Sequence, residues 1–245
     1  MDLSIVIPAL NEAQKIGRDI EAAASFFSAA GLEGEIIVVD DGSSDETAEA
    51  ARRAKISPSV MRIVLRLERN SGKGLAVKRG VLESKGKVVL YADSGACVPY
   101  ANALAAIKRI AAGELDLALA SRRLKETVIL RNQPFRRRLI SRIFHQAAIW
   151  IAGLPRWISD SQCGFKVYAG DAARELYAGL VTSGFLFELE IIIKAARRGL
   201  RIEEFPVEWT CDLDTRLRPS AQAKNVAKEL FKIRATMKKE SQNSK

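Results

Sequence analysis

Residues 35–47 read EIIVVDDGSSDET, and this stretch limits the possible folds more than any other in the chain. The apolar, mostly β-branched run Ile36 to Val39 has the pattern of a buried strand. It stops at Asp40 and Asp41. Gly42 permits a sharp turn, and Ser43 with Glu46 has the spacing of a capping box that opens a helix. A buried strand thus hands two carboxylates to a loop at its C-terminal end, the edge where open α/β sheets bind ligands. A strand, a polar turn and a capped helix occur in any α/β protein, and they explain one carboxylate as a cap. They do not explain Asp40, which is still attached to the apolar run and therefore partly desolvated.

The neighbouring sequence repeats the alternation. Leu3 to Ile7 reads as a strand closed by Pro8. The loop Ala9 to Glu12 leads into a helix carrying Ile16, Ile20, Ala23 and Phe27, ended by Gly31 and Gly34. A helix to about Ala54, a strand Met61 to Leu67, a helix to about Ser84 and a strand Lys87 to Ala92 follow. This order predicts an α/β fold with right-handed crossovers and a mostly parallel central sheet flanked by helices. Asn70 to Gly74 sets Lys73 between glycines at a helix start, a suitable place for a phosphate. It lacks the upstream glycine and following Ser/Thr of a Walker A loop, and a surface turn is the plain alternative. Asp93 ends its strand as Asp40 does. Two strand-end aspartates and a lysine suit a hard divalent cation with a diphosphate.

Composition narrows the class. A chain of 245 residues with 48% hydrophobic content can bury a sizeable core in one or two domains. The net charge of +10 with one histidine points to an anionic partner. Nucleic acid ranks last, because no recognition motif and no alternation of aromatic with basic residues is present. Cys97, Cys163 and Cys211 are far apart, which argues against zinc and fits a reduced setting. The chain opens on MDLSIVIP without a signal-peptide pattern, and no apolar run approaches the ~20 residues of a membrane span. The expected location is the cytoplasm, at the cytoplasmic membrane surface. Nothing in the sequence sets an oligomeric state.

Three segments, Ser4 to Glu12, Val38 to Thr47 and Asn70 to Gly74, together resemble the nucleotide-sugar half of glycosyltransferase family two, inverting enzymes of the GT-A fold. Ser159 to Lys166 resembles the DTQCGFK segment of the dolichyl-phosphate β-glucosyltransferases within that family. Phe187 to Glu190 resembles their FDVEL segment, and Glu204 to Trp209 their E-x-P-V-x-W strand. Polyprenyl-phosphate mannosyltransferases are the near relatives. The resemblance implies one catalytic domain over 1–215, with a nucleotide-sugar half of about 1–98 and an acceptor half of about 99–215. A basic amphipathic helix and tail would occupy 216–245.

The resemblance also implies roles. Pro8, Ala9, Glu12 and Asp41 would line the base and ribose, with Asp40 beside them and Lys73 facing the nucleotide or its phosphates. Asp93 matches the first acid of the family's DxD metal motif and would hold Mg²⁺ or Mn²⁺. The second acid is absent: residues 93–95 read Asp-Ser-Gly, with Gly95 in its place. Arg122, in the family's G-S-R element, and one of Arg137 or Arg138 would take an acceptor phosphate, which the planar arginine fork suits. Asp160 would orient an arginine or the acceptor near the reacting centre, and Gln162 would contact the donor sugar. The implied reaction transfers a hexose, with UDP-glucose favoured over GDP-mannose, to a polyprenyl phosphate. A non-catalytic nucleotide-sugar-binding relative is the alternative raised by Gly95.

Leu139, Ile140, Ile143, Phe144, Ala147, Ala148 and Ile151 form a stripe at helical spacing, with Arg142, His145 and Gln146 on the other side. Core packing is the default reading of such a stripe. With Trp150 and Trp157 nearby, a membrane surface also fits. His145 lies on the polar side and receives no catalytic role. Near the C-terminus, Val226, Leu230, Ile233 and Met237 form one stripe and Lys224, Lys228 and Lys232 another, compatible with peripheral membrane contact or with solvent. Residues 240–245 are expected to be disordered.

Overall fold

A computed structural model describes residues 1–131, 134–211 and 219–243, without the side chains of Arg136, Arg137, 219–225, Ser241 and Asn243. Its organisation follows from strands that are apolar on both faces. In β1 (Leu3–Ala9) and β2 (Gly34–Asp40), Ile5, Ile7, Ile36 and Val38 join one core cluster. Val6, Ile37 and Val39 join the other, on the opposite face. The first face is covered by α1 (Ile16–Ala30), whose Ile16, Ile20, Ala23 and Phe27 are all buried, and by α4 (Leu104–Ala111). The second is covered by α3 (Lys73–Glu83), α6 (Gly170–Ala178) and α7 (Phe187–Arg197).

Seven strands form the main sheet in the order β3-β2-β1-β4-β7-β5-β8, with β3 at Val60–Arg66, β4 at Val88–Ala92 and β5 at Leu117–Ser121. β7 (Phe165–Ala169) runs antiparallel to both of its neighbours, whereas every other pairing in this sheet is parallel; β8 is Ile202–Pro206. Strands from the first hundred residues and from residues beyond 115 therefore share one sheet. A second pair joins β6 (Val128–Arg131) to β9 (Glu208–Thr210).

Several local expectations are corrected. Pro8 does not close β1, which continues to Ala9 and pairs Pro8 with Val39. The capping box does not form. Ser43 Oγ instead accepts the Asn11 amide at 2.7 Å, and the Asp45 carboxylate caps α2 (Thr47–Arg53) by accepting Thr47 N at 3.0 Å. The terminal helix α8 (Pro219–Asn243) runs through Glu240, which pairs with Lys194 at 3.2 Å, so order persists past the expected break. Its Leu230, Ile233 and Met237 are buried in the second cluster rather than facing solvent.

The stripe of α5 (Phe135–Ala147) is split. Phe144 and Ala147 pack against the core, and so does Ala148 in the π-helical turn Ala148–Ala152. Leu139, Ile140 and Ile143 are exposed, Ile143 at 63%. Periodicity identifies an apolar face but not whether anything in the chain covers it. No described helix is long and apolar enough to cross a membrane.

Candidate active site

Three loops at the C-terminal ends of β1, β2 and β3 are joined by hydrogen bonds. Asn11, at φ 48°, accepts Ser44 N at 2.7 Å through its side-chain oxygen, and Glu12 N donates to Thr47 Oγ1 at 2.7 Å. Asp41 N donates to Ala9 O at 2.8 Å. Pro8 and Ala9 are buried in the strand, so what they offer a ligand is the rim of the sheet. Asp40 is fully buried; its Oδ1 accepts Ser43 N at 2.9 Å and its Oδ2 lies 3.4 Å from Arg66 Nε. The two Asp41 oxygens accept Ser71 N at 2.7 Å and Gly72 N at 3.0 Å. Asp41 thereby pins the loop that delivers Lys73. Burial raises its carboxyl against the lowering effect of those two amides.

Lys73, the first residue of α3, reaches Asp93 just beyond β4. Its ammonium lies 2.8 Å from Asp93 Oδ1 and 2.9 Å from Oδ2. The rings of Tyr91 and Phe185 lie 5.7 and 5.9 Å from the same nitrogen. The Tyr91 hydroxyl donates to Asp93 Oδ1 and lies 3.2 Å from Glu188 Oε1, while Lys166 pairs with Glu188. Two carboxylates, two ammonium groups and a phenol thus form one connected cluster. Burial would lower the Lys73 ammonium, but Asp93 and Glu188 outweigh it and raise it. Burial, reinforced by the same carboxylates, pushes the Tyr91 phenol well up, which keeps it a neutral donor.

The turn after Asp93 explains the missing second acid. Gly95 has φ 99° and Ala96 φ 47°, and Gly95 N donates to the buried Asp19 at 2.6 Å. A left-handed backbone at 95 favours glycine over a side-chain ligand. Among the described residues no group of three His, Cys, Asp or Glu could hold a metal ion. Asp93 remains one-third exposed at the sheet edge. It fits a divalent cation as a single oxygen ligand, with the remainder supplied by waters and a diphosphate, an arrangement Mg²⁺ commonly takes.

A second cluster follows β5. Arg122 donates to Asp160 from Nε at 2.7 Å and from Nη2 at 2.8 Å, and its guanidinium lies 5.5 Å from the centre of the Trp209 ring. Burial alone would raise the Asp160 carboxyl, but Arg122 holds it well below the usual carboxylate range. Glu204 accepts Ser159 N at 2.8 Å and Asp160 N at 2.9 Å, fixing the loop that carries Asp160. Gln162 turns its amide back to Ser161 O at 3.3 Å. Arg123 donates to Ser141 Oγ at 3.0 Å, joining this cluster to α5. The same loop reaches the first cluster, since Asp93 N donates to Gly164 O at 2.8 Å.

The structure thus brings Pro8, Ala9, Glu12, Asp40, Asp41, Lys73 and Asp93 to one edge, with Arg122, Asp160 and Gln162 linked to it through a single loop. Arg138 is exposed on α5, 5.8 Å from the Phe135 ring, and the side chain of Arg137 lies outside the described residues. Sequence reasoning assigned no site role to Tyr91, Glu188, Lys166, Glu204, Arg123 or Asp19. Tyr91 stands two positions before Asp93, and Lys166, Glu188 and Glu204 fall in the quoted segments, so a signal existed. Asp19, inside a helix, offered none.

The glycosyl transferase family 2 domain matches residues 4–165. The chain is 32% identical to the dolichyl-phosphate beta-glucosyltransferase of Saccharomyces cerevisiae, across 95% of this chain and 74% of that protein. The Homo sapiens protein of the same name is 28% identical, across 95% and 74%. Among solved structures, glucosyl-3-phosphoglycerate synthase from Mycobacterium tuberculosis in complex with Mn²⁺, UDP-glucose and phosphoglyceric acid superposes with a TM-score of 0.64. That match is at 21% identity and covers 96% of this chain and 79% of that one, a likeness of fold. The chain belongs to glycosyl transferase family 2 and is a glycosyltransferase.

Proposed function

We propose that this glycosyltransferase moves glucose from UDP-glucose to a polyprenyl phosphate. The observation that carries the reading is a juxtaposition. The Lys73–Asp93 edge is joined by the 159–164 loop to Arg122 and Arg123, and Arg123 is bonded to a helix with an exposed apolar face. Relatives named for glucosyl transfer to dolichyl phosphate support the choice of sugar and lipid.

The chemistry suits the groups. A phosphate monoester has its second pKa near ~6, so the acceptor oxygen is already anionic at neutral pH and needs positioning rather than a strong base. Arg122 is held by Asp160 on two of its nitrogens and presents the rest of its fork, with Arg123 beside it. Asp93 would hold a divalent metal, Mg²⁺ or Mn²⁺, which when bound offsets charge on the donor diphosphate. Lys73 adds its own positive charge at the leaving group. In-line attack at the anomeric carbon from the arginine side inverts configuration and gives a β-linked product.

The acceptor's hydrocarbon tail calls for a membrane surface. Leu130, Phe135, Leu139, Ile143, Trp150 and Trp157 are all exposed on β6, α5 and the segment that follows. Arg138 stacks on Phe135, and Arg156 lies 5.0 Å from the Trp150 ring. Apolar and basic groups mixed on one face fit an anionic bilayer. The test is transfer of radiolabel from UDP-glucose and from GDP-mannose to a short polyprenyl phosphate, with Mg²⁺ or Mn²⁺ and with EDTA. Metal-dependent labelling from UDP-glucose is expected. Labelling only from GDP-mannose would replace the donor, and binding of UDP without transfer from either would favour a non-catalytic relative.

A further inference from the structure

Lys73 occupies both oxygens of Asp93, the carboxylate that matches the family's metal motif. We propose that Lys73 is a latch on Asp93: in the absence of nucleotide it keeps divalent metal off the carboxylate, and it is drawn off by the diphosphate of an incoming nucleotide. Metal and nucleotide then load together. The inference rests on the reading of Asp93 as the donor-metal ligand.

Three observations carry it. The ammonium bridges Oδ1 and Oδ2 at 2.8 and 2.9 Å, so both oxygens of the carboxylate are already engaged by a positive charge. Asp93 cannot easily turn away to offer other lone pairs. Tyr91 holds Oδ1 from one side, and Gly164 lies so close to Oδ2 that a Cβ there would clash with it, so backbone packs directly behind the carboxylate. Residue 95 supplies no second acid to the metal site, and Glu188, 3.9 Å from the ammonium, is already engaged by Tyr91 and Lys166. A divalent ion and an ammonium on one carboxylate repel each other, which weakens metal binding while the lysine stays in place. A nucleoside diphosphate removes the conflict, because its oxygens offer the lysine a new anionic partner and the metal further ligands. The flexible four-carbon stem of lysine permits the exchange, and the Tyr91 and Phe185 rings flank its path.

The experiment measures Mn²⁺ affinity of the full chain by electron paramagnetic resonance, with and without UDP and with no acceptor or sugar donor. UDP is expected to tighten Mn²⁺ binding about tenfold or more, and by reciprocity Mn²⁺ tightens UDP by the same factor in calorimetry. Lys73→Met should raise Mn²⁺ affinity in the absence of UDP and shrink that coupling. Arg69→Ala removes a charge elsewhere on the same loop and should leave the affinity unchanged. Thermal melts establish that each variant is folded. Unchanged Mn²⁺ affinity in folded Lys73→Met, or an equal rise in Arg69→Ala, overturns the latch. Mn²⁺ binding that survives Asp93→Asn overturns instead the reading of Asp93 as the ligand.

Discussion

Gly164 packs so closely behind Asp93 that even one added methyl group has no room. Gly164→Ala must displace the carboxylate or the 159–164 loop. Misplacement of a reacting group by about 1 Å can cost on the order of 100-fold in rate. Turnover of UDP-glucose is therefore expected to fall by that order, and a thermal melt will show whether the fold survives. Asp160 carries a different prediction. Asp160→Asn leaves Arg122 largely buried without its anion, a change that costs about 3 kcal/mol. Because the Asp160 carboxyl is held below its usual range, its contribution is fully present above the unfolded value of about 3.9. It is lost as pH falls towards the lower folded value. Urea midpoints of wild type and Asp160→Asn should differ most at neutral pH and converge below about pH 4; a constant gap would refute the assignment.

At the scale of elements, α5 and α8 carry similar apolar stripes and make opposite use of them. In α8, Ile233 is buried in the second core cluster, so Ile233→Ala should cost about 2–4 kcal/mol, read as a lower melting temperature. In α5, Leu139→Ser with Ile143→Ser removes exposed surface and should shift stability by no more than about 0.5 kcal/mol per site. This contrast marks what the sequence could reveal. The strands β1 and β2 were legible as short continuous apolar runs, covered on both faces, and the helix α1 because its apolar residues repeat with the helical period. Which stripe is covered depends on the rest of the fold and has no local signature. The same holds for Ser43, whose hydroxyl is taken by Asn11 from 32 positions away instead of capping its own helix. The antiparallel insertion of β7 between β4 and β5 is likewise a matter of long-range pairing. The carboxylates Asp40, Asp41 and Asp93 were legible as strand-end acids. That Asp41 is spent on the Lys73 loop was not, and a place for Asp160 beside an arginine came only with the family resemblance.

For the whole molecule, charge and exposed apolar surface would make separable contributions to the proposed membrane contact. A net charge of +10 would draw the protein towards anionic lipid, each basic group near the surface adding about 1 kcal/mol. That attraction acts over the Debye length, about 10 Å at 0.1 M salt and about 3 Å at 1 M. Insertion of Leu139, Ile143 and Trp150 into the headgroup boundary is not screened in this way. Co-sedimentation with phosphatidylglycerol vesicles should therefore be strong at low salt and reduced, but not abolished, at 1 M. Vesicles of phosphatidylcholine alone should recover less protein at low salt. The Leu139→Ser, Ile143→Ser double variant should keep most of the low-salt binding and lose the salt-resistant remainder. If it binds as wild type does at 1 M salt, α5 is not the inserted face. If neutral and anionic vesicles bind equally at low salt, the positive charge serves some purpose other than holding the protein at a membrane.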